Sequence, residues 1–501
     1  MDKRKQIANV PSKLSHLPWL GLLACLCALP VSAAIAAGAV TTTTPAEPLA
    51  TIVQLVNGGQ FKAADAQIAV ALQNPELPAA ERKALHFQRV RMQRIAYDFD
   101  LTADEVEAKV RKKIPGLTEA EFARWNAHGL FEHKVIDGKL WYFRRSPSNL
   151  FDLSSEARKL AKLPPDTDDW SSYDTKVVHA ALSSGHTGVM PQRVQVTQSL
   201  VVDADAVPAG KTIRAWIPYP QAIPGQQEGI EFISSVPSRH RVAPKAAKQR
   251  TVYLEKAAQA GKPTTFSITY QVTLYAQYHP IDPDKVVPAK ITPALAPYVA
   301  ERAPHIVFTE PLRVFSHQIV GDTTNPYRIA QKLFAAVDDV PWAGAREYST
   351  IPDISMYTLD AGHGDCGEQT LLLMTLLRMN GIPARWQSGW TFTKSSYSDI
   401  HDWAQIYLAP YGWVPVDVTY GRLDSKDPAV KWFYLGGLDN FRIAFNNGYG
   451  DKFVPAKQHF RSDTVDSQRG EVEWDGGNLY YDKWSYHFHW KILPAKQTAA
   501  K

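Results

Sequence analysis

Cysteine is nearly missing from this chain, with three among 501 residues. Two of them, Cys25 and Cys27, lie in an N-terminal segment with the make-up of a removable leader. A mature chain holding Cys366 alone closes no internal disulfide and builds no cysteine-rich metal site. What is left for Cys366 is packing or nucleophilic chemistry. Charge of one sign is also scarce. Four basic residues and one acidic residue depart with the leader, which brings the formal net charge from +5 to +2. No global field points to nucleic acid or to an anionic surface. Beyond the leader there is no run of eighteen apolar residues, so no membrane span is expected in the mature chain. No Asp-rich loop of the EF-hand kind occurs, so no calcium dependence is implied. His487 and His489 would share a strand face but lack an evident third ligand, so they are read as structural, and no metal or cofactor is expected.

The ends and joints of the chain carry their own signals. Lys3-Arg4-Lys5 and Lys13, the short apolar run Leu17 to Val31, and the small residues after it read as a signal peptide over 1–36, cleaved near Ala33 or Ala36. Leu22-Leu23-Ala24-Cys25 only loosely resembles a lipoprotein box. The expected location is secreted or periplasmic. Residues 37–48, with four threonines and two prolines, form a flexible lead-in. Helical spacing over Leu49 to Val56, Phe61 to Leu72 and Pro78 to Tyr97 opens a helical region spanning 49–165. It resembles a single tetratricopeptide-type hairpin, with no second copy to make a solenoid. Within that region Thr102-x-x-Glu105 and Thr118-x-x-Glu121 are capping boxes, and Asp137-Gly138 turns a hairpin, giving a winged-helix-like order. Lys112, Lys113, Arg144 and Arg145 are read as solvated charges on a packing module rather than as a nucleic-acid face. Period-two alternation over 190–278 predicts an all-β, sandwich-like domain. A mixed region over 300–494 follows, with a β extension at its C-terminal end. The fold class is therefore α+β and multidomain.

Gly364-Asp365 breaks the chain, and Cys366 to Asn380 has the pattern of a helix stopped by Gly381 and Pro383. Cys366 then lies in the first helical turn, where unpaired N–H groups and the helix dipole favour thiolate. Further on, His401 to Leu408 and Trp413 to Val418 read as a hairpin around Pro410-Tyr411-Gly412. With Tyr407 facing Trp413, His401 falls opposite Thr419. Asp417 is then on the same face, one diagonal step away, and a one-residue slip would turn it to the other face. Nucleophile, base and orienter are thus Cys366, His401 and Asp417.

The strings Gly364-Asp365-Cys366-Gly367-Glu368, Leu377-Arg378-Met379-Asn380-Gly381-Ile382-Pro383-Ala384-Arg385, Gly389-Trp390, His401-Asp402-Trp403 and Gly412-Trp413-Val414-Pro415-Val416-Asp417-Val418-Thr419 resemble the core of the transglutaminase-like superfamily. The likeness covers about 325–420. It implies a papain-like core, with Cys366 as nucleophile, His401 as general base and acid, and Asp417 as orienter. The backbone N–H of Cys366 is the natural first oxyanion donor. The family often takes a second from an upstream aromatic, here Tyr348 in preference to Trp342. The resemblance implies a thiol-dependent amide or peptide hydrolase with a protein or peptide substrate. Crosslinking of glutamine to amines, and an inactive envelope scaffold, are the alternatives.

Overall fold

The computed structural model describes residues 47–164, 170–394 and 397–494. The expected signal peptide and nearly all of the lead-in lie outside them. The described chain divides into two units: residues 47–93 with 135–140, and the remainder from 94 onward. In the first, the helices Glu47–Asn57 and Phe61–Leu72 pack as a hairpin on the N-terminal part of the helix Ala79–Asp98. Buried Ile52, Val56, Ile68 and Leu85 fill it, and Arg91 donates to Asn57 at 2.9 Å.

In the second unit both capping boxes form. Thr102 opens Ala103–Arg111 and Thr118 opens Glu119–Ala127, each hydroxyl accepting from the N3 amide while the N3 glutamate reaches back to the cap. Val106, Val110, Trp125, Phe131 and Tyr142 make a separate small core for this module. The helix Ser146–Leu153 follows, and its Asn149 exchanges two hydrogen bonds with the backbone of Gly344, at 2.7 and 3.1 Å.

The β-domain is two five-stranded antiparallel sheets. The paired fifteen-residue strands Gly188–Val202 and Thr264–Tyr278 centre one; Thr212–Pro218 and Thr251–Ala257 centre the other. The C-terminal strands were expected as an extension of the mixed region. They instead complete these sheets: Trp484–Ile492 pairs with Gly188–Val202, and Glu471–Trp474 with Thr212–Pro218. Unpaired edges of long strands are costly, and the chain returns to cover them. His487 and His489 lie exposed on one face of that last strand.

The mixed region is built around the helix Cys366–Met379, buried on all sides from Gly367 to Arg378. Its apolar residues face neighbours all round, as a central helix requires. The helices Glu310–Val320, Pro326–Asp338 and Ile354–Ala361 pack on it, as does a four-stranded antiparallel sheet. The sheet order is Gly412–Val416, Ser398–Leu408, Ala384–Phe392, Arg442–Asn446. Among the described residues no helix is long and apolar enough to cross a membrane.

Gly389 pairs with His401 on one side and Ala444 on the other. A Cβ there would come 1.8 Å from the Ile443 carbonyl oxygen, so only glycine lets these strands close. Gly389→Ala is expected to cost ~1–3 kcal/mol through overpacking, read as a lower urea midpoint with an unchanged slope.

Candidate active site

Asp365 caps the central helix by accepting from Gly367 N–H at 3.0 Å. This places Cys366 at the first helical position, where its own N–H has no partner within the helix. Gly367 is needed for closeness: a Cβ there would lie 1.7 Å from the Tyr348 hydroxyl. The helix is tied to the central strand by Thr370 Oγ1 donating to the Asp402 carbonyl at 3.3 Å, and to the hairpin's end by Thr419 donating to Gln369 at 3.0 Å.

The hairpin has the expected register. Tyr407 is opposite Trp413 and Ala404 opposite Val416. His401 Nε2 consequently meets Asp417 Oδ2 at 2.8 Å. Asp417 is fully buried and also accepts from Arg442 Nη1 at 2.7 Å and from Tyr420 N–H at 3.1 Å. Burial opposes its ionisation, but the charges of His401 and Arg442 and their hydrogen bonds override that, holding the carboxyl well below the usual carboxylate range. An ionised Asp417 accepts a proton-bearing Nε2, which leaves Nδ1 of His401 as the basic nitrogen. Arg442 itself is buried, bonds Asp439 through Nη2, and lies over the rings of Trp403 and Tyr420.

Cys366, His401, Tyr348 and Trp342 line one cavity of about 440 Å³, and Asp417 stands behind His401. Arg145, Ser148, Asn149 and Asp152 contribute a wall from the module that precedes the β-domain. Arg145, taken from sequence as a solvated charge, is exposed and lines this cavity.

Two features depart from the expectations. The half-buried Cys366 thiol donates to Asp402 Oδ2 at 3.4 Å. Burial first, then the Asp402 and Asp365 carboxylates, push the thiol well above its ordinary range, opposite to the effect expected of a helix N-terminus. Tyr348 also donates to Asp402 Oδ2, at 3.3 Å, and burial followed by the Asp402 charge keeps its phenol protonated. His363 is buried with Nδ1 3.0 Å from the Ala361 carbonyl and lines a different cavity.

Sequence reasoning missed Asp402, Gln468 and Arg442. Asp402 stands beside His401 in the His-Asp-Trp string, where strand alternation by itself would turn it to the other face. Gln468 and Arg442 come from distant segments with no local pattern. No group of three or more His, Cys, Asp or Glu side chains suited to a metal occurs among the described residues.

Arg442→Met would leave two buried carboxylates without their cation. It is expected to destabilise the fold by ~3–5 kcal/mol, measured by chemical denaturation.

Residues 313–418 match the family described as the Transglutaminase-like superfamily. No curated protein matches the chain. Among solved structures, a "putative cysteine protease" from Cytophaga hutchinsonii is 17% identical, with a TM-score of 0.43, over 62% of this chain and 94% of that one. The periplasmic domain of TgpA from Pseudomonas aeruginosa, bound to ethylmercury, is 13% identical, with a TM-score of 0.26, over 52% of this chain and 97% of that one. A "putative protease" from Parabacteroides distasonis is 11% identical, with a TM-score of 0.19, over 51% and 68%. The family likeness is carried by the segment 313–418, which holds Cys366, His401 and Asp417 and matches the transglutaminase-like superfamily.

Proposed function

We propose that the protein is a cysteine hydrolase of amide or peptide bonds, with Cys366, His401 and Asp417 as its working groups. One observation carries this reading: His401 lines the same cavity as Cys366 while its Nε2 is engaged by an ionised, cation-backed Asp417. Nδ1 is then free to take the thiol proton as Sγ attacks the substrate carbonyl. The tetrahedral oxyanion is received by the Cys366 N–H, with Tyr348 as the candidate second donor. His401 returns its proton to the leaving amine as the C–N bond breaks, leaving a thioester on Cys366. Water, deprotonated by His401, then cleaves the thioester and restores the thiol. The N-terminal leader directs the chain to the periplasm or the exterior, where a protein or peptide is its substrate.

Cys366→Ser is expected to abolish hydrolysis of a peptide library, and Asp417→Asn to lower kcat by roughly 10²-fold or more, both as folded proteins. Retained activity in Cys366→Ser would overturn the proposal. A fluorescent primary amine supplied with a glutamine-bearing protein separates hydrolysis from crosslinking: release without incorporation is expected.

A further inference from the structure

Asp402 occupies a position that the proposed reaction does not use. It is 2% exposed and presents Oδ2 to both the Cys366 sulfur and the Tyr348 hydroxyl. Its Oδ1 accepts from Gln468 Nε2 at 2.6 Å, and the same amide donates to the His401 carbonyl at 2.8 Å. Behind it, Asp402 is hydrogen-bonded to the buried Asp466, which accepts from Trp386 Nε1 at 3.3 Å. Burial, then the neighbouring Asp466 and Asp365 carboxyls, push Asp402 well above the usual carboxylate range, and two carboxyls in such contact do not both ionise readily, so a proton is shared between them.

We infer that the Asp402–Asp466 pair guards the nucleophile, holding one negative charge against Cys366 Sγ so that the sulfur stays a thiol in the empty cleft. Asp402 Oδ2 lies 3.4 Å from the sulfur, so charge carried by the pair opposes a thiolate there. The groups around the pair do not cancel it. From the central helix come Asp365 and Glu368, and from the opposite side Asp463, all acidic. Tyr348 and Gln468 are neutral donors. The positive influences are Arg461, acting on Asp463 and Asp466, and Arg469, acting on Asp463. Protonating the pair removes the charge and turns Asp402 into a donor toward sulfur. Oxidation of cysteine runs through the thiolate, so a sulfur held as thiol resists oxidants between turnovers. The inference rests on Cys366 being the nucleophile, but its readout does not require turnover.

The test is the pH dependence of Cys366 alkylation by iodoacetamide in the whole chain, followed by mass spectrometry. In the unaltered protein the midpoint is expected above that of a free thiol, about 8.5. Asp402→Asn is expected to lower it by about one pH unit, which is about tenfold faster alkylation at neutral pH. Asp402→Asn with Asp466→Asn should lower it at least as far and speed sulfenic acid formation by hydrogen peroxide. A purely structural Asp402 would not make the thiol more reactive. A midpoint unchanged or raised in the folded variants overturns the inference. So does an unaltered protein whose midpoint lies below 8.5, a measurement that stands even where a variant fails to fold. Loss of the hydrolase reading through an active Cys366→Ser would leave these midpoints as they are, so the two failures are distinguishable.

Discussion

A guanidinium sealed inside the protein organises the candidate site. Arg442 sits between Asp417 and Asp439 with aromatic rings over its faces, and without it the buried Asp417 would lose the permanent cation that offsets its desolvation. Such a carboxyl takes up a proton and can no longer fix the imidazole tautomer. His401 and Arg442 together keep Asp417 ionised, and His401 presents Nε2 to it. Arg442 begins the edge strand of the core sheet, so the pairing of Arg442–Asn446 with Ala384–Phe392 is what delivers this charge. The Gly389 contact that lets those strands close is therefore also part of the electrostatics of the site.

Around Cys366 the balance runs the other way. The helix start that should favour a thiolate is crowded by Asp365, Glu368 and Asp402, and burial strengthens their influence on the sulfur. Two adjacent residues of one strand thus sit in opposite electrostatic settings. His401 is backed by a carboxylate that a cation stabilises, while Asp402 is backed by another carboxyl. The arrangement opposes a resting negative charge on the Cys366 sulfur.

The wall of the cavity is partly foreign to the core. The helix Ser146–Leu153 belongs to the module with the two capping boxes, and Asn149 clasps Gly344 at the approach to Tyr348. Nearby, Arg346 pairs with Glu132 at 2.9 Å and Tyr357 donates to the same glutamate. The module that composition presents as a winged-helix-like unit is, in the fold, a side of the cleft.

Local rules reach far in this chain. Thr102 and Thr118 announced their helices because a capping box is satisfied within four residues. The contact of His401 with Asp417 was legible because a hairpin's register follows from its turn, and register decides which side chains share a face. The third acid-bearing position, Asp402, was not legible: its carboxyl reaches sulfur because the strand and the helix cross at Thr370, a relation no period encodes. Nor could sequence show that residues 471–492 return to the sheets opened near 188, since pairing partners hundreds of residues apart leave no local trace. The sequence by itself determined the helix that Cys366 opens, the hairpin, and the facing of His401 and Asp417, all consequences of short-range backbone geometry. Only the tertiary structure decided the charge that each of them feels, because burial and electrostatics depend on which distant side chains, Arg442, Asp466 and Gln468 here, are brought within a few ångströms.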